Sequence, residues 1–198
     1  MNAIIIFIRN PILGKVKTRL AREIGDLQAL QIYNQLLNIT RDVSLESHAI
    51  KYLFYSDFIQ NDDEWDSNYN KMLQTGNDLG ERMKVAFQSI LQRHSKCIII
   101  GSDCPYISEK LIESAFTSLD QNDVVIGPAK DGGYYLLGMN KLILEIFTDM
   151  AWSQQHLLTQ TKAKLDELNY SYCELDILED IDTLKEWENY KKSINQSN

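Results

Sequence analysis

The 198-residue sequence is poor in cysteine and contains no long apolar run. Its three cysteines, Cys97, Cys104 and Cys173, are odd in number and widely spaced, which argues against a disulfide framework and against a Cys-x-x-Cys metal site. No segment approaches the roughly 18 apolar residues of a membrane-spanning helix. The apolar run AIIIFI near the N-terminus is short and no small-residue cleavage site follows it, so a signal peptide is not expected. We therefore expect a cytoplasmic protein with reduced thiols.

Positive charge is also scarce. Lys and Arg number 20 against 28 Asp and Glu, and the formal net charge is −8. Binding to nucleic acid or to an anionic membrane requires a basic face, so we expect neither as a partner. A local basic cluster is correspondingly informative in this chain. The length suits a single domain spanning residues 1–198, and the sequence shows no internal repeat and no clear linker; oligomeric state is left open.

Short β-branched runs alternate with longer amphipathic segments. Several of the runs are apolar throughout, which is typical of central strands covered by helices on both faces. The predicted strands are 3–8, 50–55, 97–101, 123–127, 134–139 and 170–175, and the predicted helices are 27–46, 78–94, 108–119, 153–169 and 182–192. This alternation predicts an α/β fold with a mostly parallel, doubly wound sheet. Ligands of such sheets bind beyond the carboxyl ends of the strands.

The familiar glycine-rich phosphate motifs are missing after the first strand. Gly14-Lys15 is followed by valine, which does not fit a Walker loop, and no Gly-x-Gly-x-x-Gly fingerprint is present. The segment nevertheless gathers cations around a glycine that permits close backbone approach: Arg9, Gly14, Lys15, Lys17 and Arg19. We expect this segment to bind phosphate; a solvated surface loop is the alternative.

Carboxylates follow two later strands. Asp103 lies two residues past Gly101, the last residue of the apolar strand CIIIG, where it suits Mg²⁺ as a hard oxygen ligand or, alternatively, caps a turn. The segment DILEDIDT gathers Asp176, Glu179, Asp180 and Asp182 ahead of the last helix. Because such a cluster repels itself unless a cation offsets it, a metal is one interpretation and helix capping by Asp182 is another.

Two glycine-containing segments are further candidates. Asp131-Gly132-Gly133 is either a hairpin turn or a glycine-lined wall beside a substrate. In GNDLGERM, Asp78 fits a helix N-cap, and Arg82 lies within reach of the same helix end. We expect both residues to contribute to binding of the nucleotide and its phosphates.

Five segments in order, RNPILGKVKTRL, GNDLGERM, IGSDCP, GPAKDGGYYLLG and DIDTLKEW, resemble the DUF2064 family of glycosyltransferase-like, radical-SAM/selenodomain-associated transferases. That family is similar to the nucleotide-diphospho-sugar transferases, and its nearer functional relatives are phospholactate and molybdenum-cofactor guanylyltransferases. The resemblance implies a glycosyltransferase-A-like, Rossmann-like fold with a mostly parallel sheet and helices on both faces.

The resemblance also implies roles for individual residues. The loop from Gly14 to Arg19 would hold nucleotide phosphates, with Lys17 and Arg19 as its cations. Asp103 would bind Mg²⁺ or Mn²⁺, and Asp182 would complete the metal site. On the acceptor side the resemblance implies Asp131, Gly132, Gly133, Trp152 and Gln154. The family usually carries a hydroxyl residue at the position of Gln154, so this departure leaves the acceptor open.

These features predict a metal-dependent transferase that moves a nucleoside monophosphate from a nucleoside triphosphate to a small phosphorylated or hydroxyl acceptor. Glycosyl transfer from a nucleotide-sugar is the first alternative, although the Asp-x-Asp pair of such enzymes is absent, since Gly101-Ser102 precedes Asp103. A non-catalytic nucleotide-binding protein is the second alternative.

Overall fold

The computed structural model describes residues 1–152 and 154–196. Over these residues the chain forms seven strands, six α-helices and a short 3₁₀ helix at Leu144–Phe147. The strands are β1 (Asn2–Ile8), β2 (Ile50–Tyr55), β3 (Tyr69–Leu73), β4 (Lys96–Ile100), β5 (Val124–Pro128), β6 (Tyr134–Met139) and β7 (Tyr172–Glu174). The helices are α1 (Thr18–Ile24), α2 (Asp26–Glu46), α3 (Leu79–Leu91), α4 (Glu109–Ser118), α5 (Leu157–Glu167) and α6 (Leu184–Gln196). No helix in this part of the chain is long and apolar enough to cross a membrane.

The described strands form one sheet in the order β3-β2-β1-β4-β6-β5-β7. β1 pairs in parallel with both β2 and β4, β2 with β3, and β5 with β7. β6 runs antiparallel to its neighbours β4 and β5. The predicted mostly parallel α/β sheet is therefore confirmed, with one reversed strand.

Both faces of β1 are buried, which explains its unbroken apolar sequence. Ile4 and Ile6 pack in a cluster that includes Tyr33 of α2 and Ile112 of α4. Ile5 points to the opposite face, where its cluster includes side chains of α3 and α5. The expectation of helices on both faces of the sheet is confirmed.

A third apolar cluster joins the two ends of the chain. It contains Leu20 of α1, Leu36 of α2 and Trp187 of α6, together with Ile181 from the segment before α6. Leu20 and Ile181 have no exposed surface. This packing holds the C-terminal segment against the loop that follows β1.

One strand and one α-helix were not predicted, and neither was the 3₁₀ helix at Leu144–Phe147. β3 is an edge strand whose sequence, YNKML, is polar and half exposed, so it lacks the apolar run of the central strands. α1 lies within the basic segment and buries only Leu20, so its sequence lacks the repeated apolar residues that indicate an amphipathic helix. The predicted start of α5 was also early, since the helix begins at Leu157.

Candidate functional site at the carboxyl edge of the sheet

The loops that carry the candidate residues converge on one edge of the sheet. Because β1, β4, β5 and β7 run in the same direction, the segments after them emerge at the same edge. The reversed direction of β6 places the turn before it, residues 129–133, at this edge as well.

Lys17 is held in the middle of the basic loop. Its backbone adopts the left-handed region, with φ 47° and ψ 46°, at the residue before α1. The side chain is only 4% exposed, and its ammonium Nζ lies 2.6 Å from Asp103 Oδ1 and 3.4 Å from Asp182 Oδ1. A buried ammonium is stable only with close anionic partners, and these two carboxylates supply them.

Arg19 reaches the same cluster from the solvent side. Its Nη1 lies 3.1 Å from Asp182 Oδ2, and its side chain is 75% exposed. Such an exposed ion pair adds little stability, so this guanidinium is free to exchange partners. The structure thus brings together Lys17, Arg19, Asp103 and Asp182, while the roles assigned to them remain predictions.

Asp182 is positioned by hydrogen bonds of the backbone around it. The Ile181 N–H donates a hydrogen bond of 2.8 Å to the Asp103 carbonyl oxygen, which joins the segment that carries Asp182 directly to the segment that carries Asp103. Glu186 of α6 accepts hydrogen bonds from the N–H groups of Asp182 and Thr183, at 2.6 and 2.7 Å. Asp182 therefore stands on a fixed backbone at the start of α6.

Asp180 lies just behind this cluster. Its Oδ1 atom is buried and has no hydrogen-bond partner among the described residues. Burial, with the negative charges of Asp103 and Asp131 as further causes, raises the pKa of Asp180 to about 7. The same surroundings raise the pKa of the Cys104 thiol to about 12, chiefly through burial. Cys104 is therefore a thiol rather than a reactive thiolate at neutral pH.

Tyr33 connects the basic loop after β1 to the loop that carries Asp103 through hydrogen bonds, a connection that was not predicted from the sequence. Its hydroxyl accepts from the Arg9 N–H at 2.9 Å, lies 3.0 Å from the Arg9 carbonyl oxygen, and lies 3.3 Å from the Ser102 hydroxyl. Burial raises its pKa above the ordinary tyrosine range. The helical periodicity of α2 marks Tyr33 as a core residue, and no signal in the sequence indicates its hydrogen bonds.

Asn10 is a second residue that sequence reasoning missed. Its side chain is buried; its Nδ2 donates to the Phe58 carbonyl oxygen at 2.9 Å and its Oδ1 accepts from the Asp57 N–H at 3.0 Å. The loop after β2 is therefore fixed to the loop after β1.

The other phosphate-loop candidates are exposed. Arg9, Gly14 and Lys15 all lie at the surface, and Gly14 takes a positive φ of 74°. The Lys15 N–H donates to the Ile12 carbonyl oxygen at 3.0 Å, which closes a turn within the loop. Their side chains remain accessible to a ligand.

In the segment before α3, Asp78 and Arg82 have structural partners. Asp78 accepts from the Glu81 N–H at 2.8 Å, so the predicted N-cap is present, and Glu81 accepts in turn from the Asn77 N–H. Arg82 Nε donates to the Gly76 carbonyl oxygen at 3.1 Å. Gln74, which the sequence did not single out, donates to the Ile8 carbonyl oxygen at 3.0 Å and so ties this loop to the end of β1. A nucleotide-binding role for Asp78 and Arg82 stays a prediction.

The hairpin turn between β5 and β6 is present and is closed locally. The Gly133 N–H donates to Asp131 Oδ1 at 2.9 Å. Gly132 has φ 91°, and a Cβ built there would stand 2.0 Å from the Gln155 carbonyl oxygen. This residue must therefore be glycine because the backbone before α5 comes so close.

Trp152 and Gln154 lie in that same segment before α5. The Trp152 indole stacks on Phe147 at 6.2 Å between centroids and covers Gly80, where a Cβ would stand 2.0 Å from the ring. Gln154 is exposed, and Ser153 between them lies outside the described residues. An acceptor-side role of these residues stays a prediction.

The carboxylates present here fit a divalent cation that arrives with phosphate ligands. Asp103 and Asp182 have side chains 48% and 42% exposed, and the Lys17 ammonium shows that the pair already holds a cation. The described residues contain no group of three or more His, Cys, Asp and Glu arranged to hold a metal. Mg²⁺ is commonly held by one or two carboxylates, with water and substrate phosphates as its remaining ligands, so two carboxylates are sufficient.

Comparison with solved structures gives the class of protein. The chain aligns with a protein from Desulfovibrio desulfuricans G20 described as a nucleotide-diphospho-sugar transferase, with a TM-score of 0.86, 30% identity, and coverage of 92% of this chain and 82% of that one. It shares its fold with a CMP:2-keto-3-deoxy-manno-octonic acid synthetase complexed with CTP (TM-score 0.61, 10% identity, coverage 100% and 99%). It also shares its fold with Rv0371C of Mycobacterium tuberculosis H37Rv in complex with manganese (TM-score 0.57, 10% identity, coverage 97% and 98%). The fold is that of the nucleotide-dependent transferases.

The family profile is more specific than the fold. The profile of the DUF2064 family, described as an uncharacterized protein conserved in bacteria, matches residues 34–154. The chain belongs to this family. No curated protein matches the chain.

Proposed function

We propose that the protein is a metal-dependent nucleotidyltransferase, which moves a nucleoside monophosphate from a nucleoside triphosphate to a small phosphorylated or hydroxyl acceptor. The observation that carries this proposal is the Lys17 ammonium at 2.6 Å from Asp103 and 3.4 Å from Asp182. It places a cation for phosphate oxygens beside two carboxylates suited to a divalent ion. The fold shared with a synthetase bound to CTP supports a nucleotide substrate.

The chain's own residues would act by positioning and by charge. Lys17 and Arg19 would bind the triphosphate and stabilise the negative charge that develops on the leaving pyrophosphate. Arg9, Gly14 and Lys15, which are exposed in the same loop, would contact the phosphates from the solvent side. No nucleophilic side chain is required, because the acceptor oxygen attacks the α-phosphorus directly.

Asp103 and Asp182 would hold the Mg²⁺ or Mn²⁺. When bound, such an ion would act as a Lewis acid and would neutralise negative charge on the phosphate oxygens. The hairpin turn at Asp131, Gly132 and Gly133, which Gln155 approaches closely, would line the acceptor site together with Trp152 and Gln154. This turn stands at the same edge of the sheet as Asp103, because β6 is reversed.

Glycosyl transfer from a nucleotide-sugar is the second candidate, and one observation favours it: the relative that is 30% identical is described as a nucleotide-diphospho-sugar transferase. Product analysis separates the two reactions. The purified protein is incubated with each common nucleoside triphosphate or nucleotide-sugar, with Mg²⁺ or Mn²⁺ and a panel of sugar phosphates and small alcohols. Pyrophosphate release supports nucleotidyl transfer, and release of a nucleoside diphosphate from a nucleotide-sugar contradicts it.

A further inference from the structure

We infer that Lys17 is the resident cation of the Asp103–Asp182 pair, and that the protein therefore takes up a divalent ion together with a polyphosphate rather than as a free ion. This inference rests on the proposed function, because it concerns the same carboxylates and the same phosphate loop. It adds the order in which ligands bind. The Lys17 ammonium stays paired with Asp103 and Asp182 until phosphate oxygens are available as its new partners.

The first support is the difference in burial within the cluster. The Lys17 side chain is 4% exposed, whereas those of Asp103 and Asp182 are 48% and 42% exposed. Lys17 Nζ lies within 4.0 Å of both carboxylates, and these are its acidic partners in the described part of the chain. The ammonium is therefore the buried member of the cluster and depends on the two carboxylates for its charge balance.

The second support is the backbone that carries the lysine. The left-handed conformation of Lys17 is unfavourable for a residue with a side chain. It persists between two anchors, Val16 and Leu20, which are 2% and 0% exposed. The backbone thus fixes the position of the Lys17 side chain, which places the ammonium beside both carboxylates.

Competition follows from the chemistry of these groups. A free divalent ion would bind the same two carboxylates that now accept from the ammonium, and its charge would repel the ammonium at short range. If the ion displaced the lysine, the buried ammonium would lose both carboxylates that now lie within 4.0 Å of it. A polyphosphate removes this penalty because its oxygens offer the lysine a new acceptor. Phosphate and divalent ion should therefore bind with positive coupling.

The test is a titration with Mn²⁺ alone, with the free ion followed by electron paramagnetic resonance. Wild-type protein is compared with Lys17→Met, which keeps much of the apolar stem and removes the charge. Lys185→Met is the matched control, since Lys185 is exposed at the start of α6 and its loss changes the net charge equally. We expect Lys17→Met to bind Mn²⁺ about tenfold or more tightly than wild type, within the usual range of coupling between two sites. Lys185→Met should stay close to wild type.

Two further measurements keep the outcome decisive. Lys17→Gln, which retains a hydrogen-bond donor, replaces Lys17→Met if circular dichroism shows that the methionine variant is unfolded. Inorganic tripolyphosphate should bind wild type better than it binds the folded Lys17 variant. Equal Mn²⁺ affinity in wild type and in the folded Lys17 variant overturns the inference, whatever the product assay gives. A failed product assay with the expected Mn²⁺ result contradicts nucleotidyl transfer and leaves Lys17 as the resident cation.

Discussion

The Tyr33 hydroxyl stands between the backbone of Arg9 and the Ser102 hydroxyl, which lies 3.3 Å away. One side chain of α2 thereby sets the spacing between the loop that carries the cations and the loop that carries Asp103. The distance from Lys17 to Asp103 depends on that spacing, because both residues follow strands that end at the same edge.

Tyr33→Phe is therefore expected to weaken ligand binding as well as stability. The Arg9 N–H loses its acceptor, which should reduce the free energy of unfolding by about 1–3 kcal/mol. The change should also reduce the affinity for a Mn²⁺–nucleotide complex several-fold, measured by calorimetry on folded protein.

Tyr69→Phe is the matched control for this change. The Tyr69 hydroxyl also contacts a serine hydroxyl, Ser44 at 2.8 Å, and donates to the Arg41 carbonyl oxygen at 3.0 Å, away from the strand-end loops. Its loss should lower stability and leave nucleotide affinity unchanged. Equal loss of affinity in both variants would show that Tyr33 acts through global stability alone.

Asp103→Asn tests the carboxylate that contacts Lys17. The amide keeps the shape of the side chain but removes the charge that balances the ammonium and would hold a metal. We expect the rate of product formation to fall by on the order of 10²-fold or more, the scale found when one preorganised charge partner is lost. Asp62→Asn, at an exposed carboxylate in the loop after β2, is the control. Wild-type turnover in Asp103→Asn would exclude the proposed chemistry.

Asp180→Asn tests the buried carboxyl behind the cluster through its pH dependence. The pKa of Asp180 is about 7 in the folded protein, above its ordinary value of 3.8. Since the folded state favours the protonated form, the stability that this group contributes is present below about pH 4 and is lost as pH rises to about 7.

The measurement is urea unfolding at pH 5 and pH 8 in the presence of a metal chelator. Between these values the wild type should lose roughly 2 kcal/mol of unfolding free energy relative to Asp180→Asn. The stability of Asp180→Asn relative to wild type should therefore be higher at pH 8 than at pH 5. A constant difference between the two proteins at both pH values contradicts the ionisation of Asp180 in this range.

Gly132→Ala tests the close approach between the hairpin and the segment before α5. The new Cβ would meet the Gln155 carbonyl oxygen at 2.0 Å, at a positive φ of 91°. Gly25→Ala provides a matched control, because φ is 86° there and nothing lies within 4 Å of the new Cβ. Both variants incur the strain of placing a residue with a Cβ at a positive φ, on the order of 1–3 kcal/mol. Thermal unfolding should show a larger loss for Gly132→Ala, and equal losses would mean that the segment before α5 moves aside freely.

The central strands could be predicted because burial leaves a direct trace in sequence. Ile4, Ile5 and Ile6 are all buried, so β1 reads as an apolar run. β3 leaves no such trace, since an edge strand with one face toward solvent needs few apolar residues. The reversal of β6 followed from one of the two interpretations of Asp131-Gly132-Gly133, the hairpin turn, because a hairpin joins antiparallel strands.

The site could be predicted as far as residue chemistry and strand ends allow. Lys17 and Asp103 were singled out because each follows an apolar strand, and the resemblance to the family added Asp182. The burial of the Lys17 ammonium could not be predicted, because it results from packing of the C-terminal segment against α1. Tyr33 was missed for a similar reason: a hydroxyl on the apolar face of a helix does not indicate its partner across the sheet edge.

The single reversed strand gives the molecule an asymmetry that matters for how such proteins can be altered. The cation loop follows a parallel strand and is confined by a helix directly after it, so its length is constrained. The turn before β6 is fixed by the hydrogen bond from the Lys130 N–H to the Leu178 carbonyl oxygen and by the close approach of Gln155 to Gly132, but Lys130 and Asp131 are exposed. Under the proposed function, substitution of Lys130 and Asp131 would therefore change acceptor preference and leave the binding of the triphosphate by the basic loop unaffected. The two proposed substrates would in this way be altered separately on one fold.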